Sequence, residues 1–174
     1  MPPSRLLVTI ITPIVVGIAG CPSSTAKTPA SPTMLIEATT YRGVLFSATE
    51  AERQRLDAPM TADTLEFWSP SAEDVARMEA QILPALLTDE RLSDGVGWNP
   101  VQSLEAALPD YTRQYFGYFT ADGEAVIYTS FFCDVPIEEL TMGVAIDDGG
   151  DCFFQIHYNT DTDEYFDLHV NGEA

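Results

Sequence analysis

Two histidines and one aspartate near the end of the chain are the side chains with the clearest potential for chemistry. His157 and His169 lie in two segments of alternating apolar residues, and Asp167 stands two positions before His169. Two imidazoles and a carboxylate are ligands that a transition metal accepts. The chain has no third histidine and no recognised metal-ligand spacing, so these residues are also typical of a solvated outer face. We expect that face and no bound metal, and keep the metal site as the alternative.

The alternation around these residues predicts a terminal hairpin, residues 152–158 with 166–170. The apolar residues of the two strands lie on the same face only if the loop between the strands has an odd number of residues, centred on Thr162. The two histidines then share the opposite, polar face and lie diagonally across the strand pair. The predicted pairs are Phe154 with Val170, Gln155 with His169, Ile156 with Leu168, and His157 with Asp167.

Two acidic segments near this hairpin could bind a hard cation. Residues 159–164 superficially resemble a calcium loop of the EF-hand type, but Glu164 replaces the turn glycine and Val170 stands at the position of the bidentate Glu. Asn, Asp and Thr also favour tight turns. We therefore predict a hairpin turn at 159–164 and a second turn at 147–151.

The N-terminal segment combines Arg5, an apolar run over residues 6–18 and a cysteine at position 21. The run is shorter than the roughly 20 residues that span a bilayer, and its order is that of an export signal. Its end, Ile18-Ala19-Gly20-Cys21, resembles the lipobox of bacterial lipoproteins. The resemblance implies cleavage after Gly20 and lipid attachment (diacylglyceryl, and often an acyl chain such as palmitate) at Cys21. Residues 1–20 are then a signal peptide.

The segment that follows, residues 21–33, contains three prolines and no large apolar residue. Such a composition cannot bury itself, so we predict a solvated tether. Assigning Cys21 to lipid leaves Cys133 and Cys152 as an even pair in an oxidising compartment, which favours a structural disulfide over a reactive or metal-binding pair.

Charge narrows the classes of partner. The chain carries a net charge of −19, and no Lys or Arg follows Arg113, whereas 13 Asp and Glu residues do. Such a surface repels phosphate backbones and anionic headgroups, which excludes nucleic acid as a partner. It suits a basic protein, or simply keeps the chain soluble.

Enzyme motifs are absent from the sequence. There is no Gly-x-Ser-x-Gly, no His-Glu-x-x-His and no phosphate loop. We therefore assign no catalytic residue and no cofactor. A metal-dependent or hydrolytic enzyme built on His157, Asp167 and His169 is the alternative.

The remaining elements predict an α+β domain over residues 34–174. A helix from Pro70 to Leu87 has an apolar stripe, two possible N-caps at Ser69 and Ser71, and a kink or end at Pro84. Asp122-Gly123 predicts a two-residue hairpin loop between strands at 115–120 and 125–133, which are apolar on both faces. One or two strands around Arg42-Gly43 and a weaker strand over Thr141–Ile146 complete an antiparallel meander packed by one main helix. This arrangement is reminiscent of cystatins, although the inhibitory Gln-x-Val-x-Gly is absent.

The last 28 residues, 147–174, resemble the ends of a set of small uncharacterised bacterial proteins, a likeness that implies no site residue. Taken together, we expect a lipid-anchored cell-envelope protein with a non-enzymatic binding or structural role. Pro22 after the lipidated cysteine favours outer-membrane sorting.

Overall fold

The computed structural model describes residues 33–54, 66–96 and 102–172. Residues 1–32, with the predicted signal peptide, Cys21 and all of the tether except Thr33, lie outside the described residues. The described strands are β1 (Thr33–Glu37), β2 (Arg42–Phe46), β3 (Phe67–Trp68), β4 (Thr112–Phe119), β5 (Ala125–Phe132), β6 (Phe153–Asn159) and β7 (Glu164–Val170). The described α-helices are α1 (Ala48–Gln54), α2 (Ala72–Glu79), α3 (Ile82–Leu86), α4 (Glu90–Ser93) and α5 (Leu104–Ala107).

The seven described strands form one sheet with the order β1-β2-β4-β5-β6-β7, and β3 pairs with the second half of β4. All pairs are antiparallel except β2 with β4, which is parallel. A parallel pair needs a long crossover, and the chain between β2 and β4 contains all five described helices. The α+β prediction is confirmed, but the meander extends only from β4 to β7.

Both faces of the central strands are covered, as their sequence predicts. The face under α2 to α5, here the helix face, packs sheet residues such as Tyr115 and Phe154 against Val75 and Met78. The opposite face, here the second face, packs residues such as Phe116 against Leu140. Central strands buried on both sides carry apolar side chains at successive positions, which explains the near-continuous aromatic and β-branched runs of β4 and β5.

The predicted single helix over residues 70–87 is two helices. The first, α2, begins after Ser71, whose hydroxyl accepts from the Asp74 amide while the Asp74 carboxylate accepts from the Ser71 amide. It ends at Glu79 with Ala80 as its C-cap, four residues before Pro84, because a proline ring clashes with the carbonyl at that distance. Pro84 itself lies in the first turn of α3, where it needs no hydrogen bond. None of the described helices is long and apolar enough to cross a bilayer.

The loop between β4 and β5 has three residues rather than the predicted two. Thr120 pairs with Glu124 through a backbone bond of 3.0 Å, and the Glu124 amide also donates to the Thr120 hydroxyl at 3.1 Å. Gly123 takes a φ of +84°, the left-handed conformation that ends this type of loop. The predicted register is therefore wrong by one residue: Tyr118 pairs with Val126 and Phe116 with Tyr128.

Residues 142–147, here called the strap, are not the predicted strand. A 3₁₀ turn over Ile137–Thr141 precedes them, and they cross the second face. The buried Gln114 amide holds the backbone, because its nitrogen donates to the Leu140 and Met142 carbonyls (2.8 and 2.6 Å) and its oxygen accepts from the Val144 amide (3.1 Å). A side chain thus supplies the partners that a neighbouring strand would supply.

Candidate functional site

The candidate site lies on the second face, where β6 and β7 pair. Between Gln155 and His157 of β6 the register shifts, and His157 pairs with Phe166 instead of Asp167. Asp167 is the point of irregularity in β7, with a φ of +49°, a left-handed conformation that Asp adopts more readily than most residues. The pairs nearest the disulfide keep the predicted register: Phe154 with Val170 and Gln155 with His169.

His157 is buried rather than solvated, which corrects the prediction of a polar outer face. Only 8% of the residue is exposed. The Tyr118 hydroxyl lies 2.8 Å from its Nδ1. Phe166 stacks on the imidazole with ring centroids 5.2 Å apart, and Tyr128 contacts it with centroids 5.0 Å apart. The imidazole therefore occupies an aromatic cage.

The cage keeps both polar groups neutral at pH 7. Burial lowers the pKa of His157 to about 4, although the Asp167 carboxylate opposes this shift. Burial, and then the charge of Asp167, raises the pKa of Tyr118 to about 12. Between a neutral phenol and a neutral imidazole the phenol is the stronger acid, so we assign it as the donor to Nδ1, which leaves the imidazole proton on Nε2.

The three predicted metal candidates do not form a ligand group. His157 is inside the cage, His169 is exposed, and Asp167 acts on His157 through its charge. Within the described ranges, no three His, Cys, Asp or Glu residues are placed to hold a metal ion together. The register puts His157 and His169 on one face, as predicted, but not at one coordination site.

A small pocket adjoins the cage between the strap and the sheet. Tyr128, Ser130, Phe153 and Gln155 line it from the sheet, and residues 144–147 line it from the strap. Its volume is about 40 Å³, which is room for two or three water molecules. The pocket is therefore too small for an organic ligand, and it meets the cage at Tyr128.

A second buried polar cluster, on the helix face, was not predicted. The Nε of Arg113 is 3.0 Å from Oε1 of Glu79, and both side chains are nearly inaccessible, at 0% and 4% exposure. Tyr115 donates to the same carboxylate at 2.8 Å. Burial is the largest influence on Glu79 and raises its pKa, with Arg113 opposing it. One feature of the sequence could have indicated this cluster. Arg113 stands two residues before Tyr115 in the strand, so both side chains point to the same buried face.

The Arg113 guanidinium is fixed by further contacts. Its two terminal nitrogens donate to the Tyr111 and Leu108 carbonyls at 2.7 and 3.0 Å, and it lies 5.1 Å from the centre of the Phe131 ring. Every one of these partners is internal to the fold. The cluster thus ties the end of α2 to β4, and we assign it a structural role.

Two further predictions concern the cysteine pair and the segment that resembles a calcium loop. Cys133 and Cys152 form a disulfide with Cα atoms 5.0 Å apart, which confirms that pair. The Asn159 side-chain oxygen accepts from the Asp161 and Thr162 amides, so the segment that resembles a calcium loop is a side-chain-stabilised turn.

Comparison with known proteins adds no relative: no family model, no curated protein and no solved structure matches this chain.

Proposed function

We propose that this chain is a lipid-anchored cell-envelope protein, attached through Cys21 and sorted to the outer membrane, as Pro22 favours. Its domain binds a basic protein partner without catalysing a reaction. One observation carries the binding role: the last third of the chain is acidic and contributes no cationic side chain. After Arg113 the sequence contains 13 Asp and Glu and no Lys or Arg. An excess of one charge attracts and orients partners of opposite charge.

The contacts of the side chains that could do chemistry also support a binding role. The side-chain hydrogen bonds of His157, Arg113 and Gln114 go to partners inside the fold. The exposed groups of the terminal hairpin are four carboxylates, one threonine, one histidine and one aromatic ring. A cystatin-like arrangement remains a fold-level prediction, and the missing Gln-x-Val-x-Gly gives no reason to propose protease inhibition.

The anchor is tested by labelling the full chain in a bacterial host with an alkyne-tagged fatty acid. The unaltered chain is expected to take up label and to fractionate with membranes, and Cys21→Ser is expected to lose both properties. A chain with Cys133→Ser and Cys152→Ser together is the matched control, because it removes thiols but leaves the lipobox. Equal labelling of Cys21→Ser and the unaltered chain would refute lipidation at this residue.

The binding role is tested by crosslinking the full chain in its envelope and identifying the captured protein. The proposal expects a partner with a basic contact surface, and capture that weakens with added salt. Substituting both histidines, His157→Phe with His169→Gln, separates this role from the alternative enzyme. Unchanged capture supports binding, whereas loss of a metal or of turnover would favour an enzyme built on His157, Asp167 and His169.

A further inference from the structure

We infer that the second-face side of β7 binds an arginine-bearing segment of the basic partner, with Phe166 as the stacking platform and Glu164 and Asp167 as the carboxylates. This inference rests on the proposed binding function and names the surface and the side chain that it recognises. The three residues are here called the β7 docking surface.

Phe166 presents an aromatic face in a place where such rings are otherwise covered. The residue is 36% exposed, whereas its cage neighbours Tyr118 and Tyr128 are 7% and 4% exposed. The inner side of its ring stacks on His157, at an interplanar angle of 29°. The stacked imidazole fixes the ring, so that its outer side is a rigid apolar platform next to solvent.

Glu164 and Asp167 lie beside this platform. Glu164 shares the parity of Phe166 along β7 and therefore the same face of the sheet. Asp167 follows Phe166 directly in β7 and is exposed, and its charge acts on both His157 and Tyr118. Neither residue forms an ion pair within the described part of the chain.

The helix side of the same hairpin shows the contrast. There Arg77 lies 3.6 Å from Asp163 and donates to the Thr160 carbonyl, and Arg91 donates to the Val170 carbonyl at 2.7 Å. Intramolecular arginines thus serve one side of the hairpin, and the described residues supply none to the other. The chain has no Lys or Arg after position 113 that could do so.

A guanidinium suits this surface better than an ammonium. It is planar, stacks on an aromatic face and still offers donors at its edge to carboxylates. A lysine would gain the charge attraction but less of the stacking. The expected occupant is therefore a segment with exposed arginine.

The test titrates the full chain, in detergent, with a peptide of alternating arginine and glycine and with its lysine counterpart. The chain has two histidines, so their ring proton signals report on the site directly. Binding of the arginine peptide is expected to shift the His157 signals, which lie under Phe166, and to be tighter than binding of the lysine peptide. Phe166→Leu and Asp167→Asn are each expected to weaken it about two- to fivefold.

Asp122→Asn is the matched control, because it removes one exposed carboxylate from the β4–β5 loop and should leave affinity unchanged. Asparagine tolerates the left-handed conformation of residue 167, so Asp167→Asn keeps the bulge. If the Asp167→Asn chain does not fold, the loss of affinity in Phe166→Leu and in Glu164→Gln tests the inference instead. Equal affinity for the two peptides, or an equal loss in Asp122→Asn, would show diffuse charge attraction and overturn the inference. So would no shift at His157. Unaltered crosslinking of the native partner by Phe166→Leu would refute this surface while leaving the binding function intact.

Discussion

Tyr118 and His157 form a neutral hydrogen-bonded pair, with 2.8 Å between the phenol oxygen and Nδ1, although they lie on strands that are not adjacent. β5 runs between their strands, and its Tyr128 completes the cage. Since the pair is buried, protonating the imidazole places a charge in an apolar site, next to a phenol that then has no nitrogen acceptor.

This pair predicts a pH-dependent stability. The folded pKa of His157, about 4, is below its unfolded value of 6.5, so the unfolded chain binds more protons between these values. Stability should therefore fall as pH decreases from about 6.5 to 4, by up to about 3 kcal/mol from this residue. Urea unfolding across this range measures it. His157→Phe should flatten that part of the profile, whereas the exposed His169→Gln should not; parallel profiles for all three chains would contradict the assignment.

The buried pair of Arg113 and Glu79 predicts strong coupling. Arg113→Met leaves a carboxylate inside the helix face without its cation and should cost about 3–5 kcal/mol of unfolding free energy. Adding Glu79→Leu should recover much of that loss, because neither charge is then buried. A double-mutant cycle in urea gives the coupling energy. Arg77→Met is the control. It removes solvent-exposed contacts with Asp74, Asp163 and the Thr160 carbonyl and should cost less than about 1 kcal/mol. Additive losses at 113 and 79 would argue against coupling.

The strap predicts a large effect from one uncharged side chain. Gln114→Leu leaves the Leu140 and Met142 carbonyls and the Val144 amide without this partner, at about 1–3 kcal/mol for each group that stays dry. Amide hydrogen exchange should show faster exchange at residues 142–147 before the sheet is affected. Gln81→Ala removes an exposed glutamine with no capping bond and should change neither measurement. Unaltered protection of the strap in Gln114→Leu would mean that packing alone holds it.

Local features were predictable from sequence, and features set by distant contacts were not. Ser71 and Asp74 define the start of α2 within four residues, so that start was one of the two predicted caps. Pro84 signalled a break, but the prediction kept one helix up to Leu87. The parallel pairing of β2 with β4 depends on a crossover of some 65 residues and left no local signal. In the β4–β5 loop, Asp122-Gly123 fitted two loop lengths, and the Thr120 hydroxyl selected the longer.

The candidate site was also predictable only in its local features. The parity of β6 and β7 placed His157 and His169 on one face, because side chains alternate along any strand. The burial of His157 depends on an extra residue at Asp167, which lets Phe166 stack on the ring, and a single residue in a left-handed conformation has no clear pattern in sequence. The burial of Gln114 could not be predicted either. Its hydrogen-bond partners lie some 30 residues away, so its local sequence does not distinguish it from a surface residue.

Gly117 predicts how tightly the second half of β4 meets β3. A Cβ at this position would lie 2.6 Å from the Trp68 carbonyl oxygen and 2.7 Å from Cδ of Pro70, and neither a backbone atom nor a proline ring can move aside easily. Gly117→Ala should therefore lower the free energy of unfolding by about 1–3 kcal/mol. Gly172→Ala, whose Cβ would meet nothing within 4 Å, is the control and should be close to neutral. Thermal and urea unfolding of both variants check the prediction, and equal stability of the two would show that β3 moves away from β4 at little cost.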